Sequence, residues 1–154
     1  MPGSWPPGAL PRLTDQNCLV TSPVTNRYNC IAWAAGEDHR NWWPDPMLTQ
    51  YWPRNVPREV TLNAFVQAYA TLGYRLSLSC ALEAGIEKLA LFGAGPIGAE
   101  TPTHAALQLA NGKWTSKLGS SEDVTHDAAE DVECPTYGRV ICYFARPRPL
   151  PPLF

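Results

Sequence analysis

The chain has 154 residues and a mass of 17.0 kDa, the size of one domain with enough length to bury a core, which excludes a multi-module plan. Twelve Lys plus Arg against fourteen Asp plus Glu leave a net charge of -2, so nothing suggests the electrostatic footprint of a nucleic-acid or acidic-lipid binder. Sixteen prolines are about twice the usual share and must be placed before any element is drawn.

They cluster. Residues 2–11 read PGSWPPGALP and residues 147–152 read PRPLPP, which divides the chain into a Pro-rich arm over 1–17, a single domain over 18–146 and a Pro-rich tail over 147–154. No basic segment followed by an apolar core opens the chain, and no run approaches the ~20 apolar residues of a bilayer span. The expectation is a soluble protein with no membrane partner, either cytoplasmic or exported by a machine that needs no signal. Cysteines at 18, 30, 80, 134 and 142 are odd in number and form no C-x-x-C pair, so they read as free thiols in a reducing compartment.

In chain order, Asn29 is a helix N-cap, Cys30-Ile31-Ala32-Trp33-Ala34-Ala35 is the apolar run behind it, and Gly36 is the left-handed stop. The stretch NWWPDPMLTQYWPRNVP is interrupted by Pro44, Pro46, Pro53 and Pro57 and reads as a loop. Leu62, Phe65, Val66, Tyr69 and Leu72 fall on one stripe ahead of Gly73, which predicts an amphipathic helix of three turns. A weaker stripe of Leu82, Ile86 and Leu89 predicts a third helix ending near Gly93.

Beyond that point the period falls to two. Ala105, Leu107 and Leu109 alternate with His104, Ala106 and Gln108, and Asn111-Gly112 is a strong hairpin signal before Trp114, Ser116 and Leu118. With Asn111 and Gly112 as the two loop residues, 109 faces 114, 107 faces 116 and 105 faces 118; His104 then shares a face with Gln108, Thr115 and Lys117. Arg139 to Ala145 reads as a covered central strand, with weaker strands at Tyr74 to Leu78 and Ile97 to Glu100. Helices followed by an antiparallel sheet make an α+β plan.

Cys30 is the most informative residue. A thiol in the first turn of a helix meets the positive end of the helix dipole, which predicts a lowered pKa and a nucleophile at neutral pH. Cys18, Cys80, Cys134 and Cys142 read as packing residues. The partner base comes from three histidines: His39, nine residues past Cys30; His104, at a strand start; and His126, in the polar stretch SSEDVTHDAAED, read as a solvated loop histidine or, as the alternative, one that supports the site from behind. A metal site drawn from Cys30, His39, His104 and His126 lacks ligand spacing, so no metal is expected.

The segments Asn26-Arg-Tyr-Asn-Cys-Ile-Ala-Trp-Ala-Ala-Gly36, Trp42-Trp43-Pro44, Thr103-His-Ala-Ala and Asn111-Gly-Lys-Trp-Thr-Ser-Lys-Leu-Gly119, with Glu122-Asp123 and His126, resemble a family of small bacterial proteins of uncharacterised function. That family in turn is similar to the papain-like cysteine peptidase and amidase fold. The resemblance implies N-terminal helices, one led by Cys30, packed on an antiparallel sheet that carries His104. It makes Cys30 the nucleophile and His104 the general base, with no cofactor. For the third, orienting group, Ser116 is the positional analogue and Asp123 the better acceptor, since a protonated Lys117 accepts nothing. The Cys30 N–H and the amide of Asn26, or of Asn29 if it is not spent as a cap, would hold the oxyanion. Tyr28, Trp33, Trp42 and Trp43 would line a substrate groove.

Two functions from different classes follow. The first is a cysteine-dependent hydrolase of amide or peptide bonds working through a thioester; its substrate is a peptide, a protein or a peptidoglycan peptide, and the same site would serve deamidation or acyl transfer. The second is a non-catalytic interaction module that docks a protein partner through the Trp/Pro-rich loop and the tails.

Overall fold

A computed structural model of the chain describes residues 3–150, and its central element is a strand where the periodicity predicts a helix. Ile86–Ala94 is the nine-residue strand β3, buried at every position from Glu87 to Gly93. Leu89 and Leu91 point into one core cluster and Ala90 and Phe92 into another. An apolar run covered on both faces satisfies a buried strand as well as a helical stripe, and tertiary cover decides between them.

The other strands are β1 (Cys18–Val20), β2 (Arg75–Ser77), β4 (Thr101–Gln108), β5 (Trp114–Lys117), β6 (Asp123–His126) and β7 (Arg139–Pro147). With β3 they form one seven-stranded sheet in the order β1-β6-β5-β4-β3-β7-β2, and every pairing is antiparallel. Two short helices accompany it, α1 (Cys30–Ala34) and α2 (Leu62–Ala70). The α+β papain-like plan with N-terminal helices is therefore corrected: the molecule is mostly antiparallel sheet, its first regular element is a strand, and the third predicted helix is β3. Residues 97–100 form a turn rather than a strand, closed by the Ala99 N–H on the Pro96 carbonyl.

The two helices form for the reasons legible in the sequence. Asn29 caps α1 by accepting from the Ala32 N–H, and Gly36 takes the left-handed φ of 88° that ends it. Thr61 caps α2 by accepting from the Ala64 N–H, and α2 buries Ala64, Phe65, Ala68 and Tyr69. Both pack on one face of the sheet, in a cluster with Leu89, Leu91, Ala105 and Phe144.

The opposite face is covered without a helix of any length. Trp5, Leu10 and Leu13 of the Pro-rich arm lie in a second cluster with Ala90, Phe92, Ala106, Trp114, Leu118 and Val124, closed at one end by a 3-10 turn over Ala129–Val132. The first two residues of the arm and the last four of the tail lie outside the described residues. Among the described residues, no helix is long and apolar enough to cross a membrane.

The hairpin differs from its predicted register by one residue. Leu107 pairs with Thr115 and Gln108 with Trp114. The Leu109 N–H bonds the Lys113 carbonyl and the Gly112 N–H bonds the Leu109 carbonyl, so Ala110, Asn111 and Gly112 form a three-residue loop with Gly112 at φ 89°. One extra loop residue turns every β5 side chain to the other face. Ser116, not Lys117, now shares the face of His104.

Candidate active site

Strand β4 carries His104, and Cys30 of α1 lies against it. Cys30 opens α1, is 7% exposed, and its thiol donates to the Thr103 carbonyl with Sγ 3.8 Å away. His104 follows that carbonyl in the chain. Its ring lies on the arm face of the sheet, edge-on to Phe92 and stacked on Tyr137 at 4.1 Å between centroids.

His104 has one nitrogen tied and one free. Its Nε2 lies 3.1 Å from Ser116 Oγ, whose second partner is His126 Nε2 at 2.8 Å. The Nδ1 of His104 is buried with no hydrogen-bond partner. His126 is read from sequence as a solvated loop residue; it is instead fully buried in β6, with Nδ1 bonded to the Ala128 carbonyl at 2.8 Å. Its polar neighbourhood in the sequence suggests exposure, but these polar groups satisfy one another inside the fold.

The other candidates separate. Asp123 sits on the helix face, where it accepts from the Tyr28 hydroxyl, and its Oδ1 has no partner; it is not brought to His104. His39 is exposed beside Glu37. Asn29 is spent: its Oδ1 accepts from Ala32 and Trp42, and its Nδ2 donates to the Trp42 carbonyl. Asn26 lines a cleft of about 200 Å³ with Tyr28, Asn29, Asn41, Gly119 and Ser120. Of the groove residues, Tyr28 stacks on Trp33, Trp33 donates its Nε1–H to Thr115 Oγ1, and Trp42 is 1% exposed in the core. Trp43 packs edge-on against Phe65. Trp42 is thus a core residue, and Trp43 is half-buried against the core.

Two residues that the sequence reading does not assign complete the site. The Lys117 ammonium is fully buried and donates to the carbonyls of Thr25, Gly119 and Ser121 at 2.6–2.7 Å. It thereby ties the segment before Tyr28 to the turn after β5. Tyr137 stands in a tight turn between Cys134 and Gly138, whose N–H and carbonyl groups bond each other in both directions. Gly138 has φ 72° and lies so close to the Gly93 carbonyl that a Cβ there would come to 2.0 Å from it. The Cys-Pro-Thr-Tyr-Gly string is a turn signal that could have marked this close approach.

Burial sets the charges. It pushes the Cys30 thiol up to about 11, against the opposing pull of the Ala105 and Ile31 N–H groups. The predicted lowering does not occur, because a five-residue helix offers little dipole and desolvation of a thiolate costs more. Burial, with the neighbouring His126, pushes His104 down to about 3. His126 is lowered by burial as well, the bond to Ala128 opposing it. At rest the site therefore holds a neutral thiol and a neutral imidazole. Among the described residues, no three His, Cys, Asp or Glu side chains gather as a metal site.

The chain belongs to the family described as Domain of unknown function (DUF7689), whose sequence model matches residues 19–145. That span contains Cys30, His104, Ser116 and His126. No curated protein and no solved structure matches the chain.

Proposed function

We propose that the protein is a cysteine-dependent hydrolase of an amide or peptide bond, with Cys30 as nucleophile and His104 as general base. The observation that carries this reading is the partnerless Nδ1 of His104, a buried imidazole tied at its other nitrogen by Ser116, in the residue next to the carbonyl that holds the Cys30 thiol. A buried polar atom without a partner costs stability, so its retention calls for a use.

The chemistry starts from the neutral pair. As Cys30 Sγ bonds to the substrate carbonyl carbon, its proton passes to His104 Nδ1, which avoids a desolvated thiolate at rest. The carbonyl oxygen takes the negative charge, with the Cys30 N–H and the Asn26 amide as its candidate donors. His104 returns the proton to the leaving nitrogen as the C–N bond breaks, leaving a thioester. Water, deprotonated by His104, then releases the acid and the thiol. An amide side chain in place of a peptide bond makes the same sequence a deamidation.

Two measurements test this. Turnover of a panel of peptides, muropeptides and small amides should fall by about 10³-fold or more in Cys30→Ala and His104→Ala; unchanged turnover in either variant sinks the mechanism. Iodoacetamide should modify Cys30 faster than the exposed Cys80, despite the burial of Cys30, when the base is available.

A second reading, a non-catalytic module that takes a protein partner, has one observation in its favour. Met47 and Leu48, at the tip of the Trp/Pro-rich loop, are 79% and 69% exposed. Absence of turnover across the panel, together with slow Cys30 alkylation and loss of partner capture in Met47→Ser/Leu48→Ser, would favour it.

A further inference from the structure

We propose that His126 is a positioning residue which, through Ser116, holds His104 in the tautomer whose Nδ1 lone pair is free. The purpose of this arrangement rests on the hydrolase reading, while the hydrogen-bond argument does not.

The direction of each bond is dictated by the one before it. A carbonyl only accepts, so the contact between His126 Nδ1 and the Ala128 carbonyl at 2.8 Å places the proton of His126 on Nδ1. The anchor is itself held, since the Ala128 N–H donates to Asp131 Oδ2 at the start of the 3-10 turn. Neutral His126 is then an acceptor at Nε2, and the group 2.8 Å away is the Ser116 hydroxyl, which must donate to it. Ser116 has one proton, now spent, so toward His104 it only accepts. The 3.1 Å contact therefore places the proton of His104 on Nε2, and Nδ1 keeps its lone pair.

All three side chains are fully buried, so water does not reset the order. Asp127, Glu130 and Asp131 face His126 and oppose its loss of charge, but burial dominates and keeps it neutral. If His126 lost its acceptor role, the Ser116 hydroxyl would be free to turn and donate to His104 Nε2. The proton of His104 would then move to Nδ1 and the base would be blocked.

The chain has three histidines, so long-range proton–nitrogen NMR of the uniformly labelled protein resolves each imidazole. At neutral pH the expected result is opposite tautomers: His126 protonated on Nδ1 and His104 on Nε2, with exposed His39 as reference. His126→Leu should move His104 to the Nδ1–H form and slow iodoacetamide trapping of Cys30 by about a hundredfold, the low end of what a positioned base supplies. His126→Gln, whose side-chain oxygen can accept from Ser116, should restore both. A wild-type His126 protonated on Nε2, or a His104 tautomer unchanged in His126→Leu, overturns the proposal. If the Leu variant does not fold, the wild-type spectrum and the Gln variant decide alone. Slow Cys30 alkylation in a wild type that shows the two opposite tautomers would remove the hydrolase reading and leave this inference standing. Fast alkylation with an unmoved His104 in His126→Leu would do the reverse.

Discussion

The two faces of the sheet are closed by different means. On the helix face, α1 and α2 bring a regular apolar stripe, and aromatic rings fill the space between: Trp52 and Trp43 against Phe65, Tyr69 against Trp42 and Phe144. On the arm face, a segment without helix or strand supplies Trp5, Leu10 and Leu13, and the sheet beneath it carries the row His104, Ser116, His126. The helix face is mostly apolar around α1 and α2, with Lys117 and Asp123 buried at its edge, whereas the arm face buries a row of polar groups that bond one another. Irregular chain covers a sheet as completely as helices do when its apolar anchors are spaced to meet it.

Substitutions can break this comparison at several strengths. Phe65→Ala removes a fully buried ring from the helix face and should cost about 3–5 kcal/mol, read as a lower denaturant midpoint. Acid should strike the arm face instead. His104 has its pKa pushed from 6.5 to about 3 in the fold, so its contribution is complete above pH 6.5 and is lost as pH falls toward 3. The limiting slope is about 1.4 kcal/mol per pH unit per proton taken up on unfolding; His126 adds to it in the same direction. A stability profile flat between pH 7 and 4 would contradict the burial of both rings, and His104→Phe should flatten it.

Lys117→Met leaves three carbonyls without their shared donor. We expect a loss of about 2–3 kcal/mol and faster hydrogen exchange in residues 119–121 before any global opening. Trp5→Ala removes a buried ring from the arm-face cluster and should cost about 1.5–3 kcal/mol, read as a lower denaturant midpoint. The smallest effect is expected at a helix end: Thr61→Ala removes the α2 cap and should cost about 1 kcal/mol, with no change at His104.

Local rules made part of this molecule legible. The cap at Asn29, the stops at Gly36 and Gly73, and a strand from Arg139 to Ala145 all follow from residue types within a turn or two of one another, although β7 runs on to Pro147 and is half-buried rather than covered on both faces. So did attention to Cys30 and His104. The third helix failed because Leu82, Ile86 and Leu89 fit a helical stripe while the strand they overlap is covered on both sides. A two-residue Asn111-Gly112 loop would put Ser116 on the face away from His104, and the third loop residue, Ala110, brings it to the His104 face. The burial of His126 is not legible, because a histidine flanked by Thr125 and Asp127 carries no local mark of burial.

The sequence by itself determined the two short helices and the strand near the C-terminus and marked Cys30 and His104 as candidates, since each depends on contacts a few residues away. Only the tertiary structure decided that residues 86–94 extend as a strand, which face each hairpin residue takes, and that three polar side chains from β4, β5 and β6 bond inside the protein. The physical reason is range: capping and periodicity are set within a single element, whereas strand register and the satisfaction of buried polar groups depend on partners that only the folded sheet brings together.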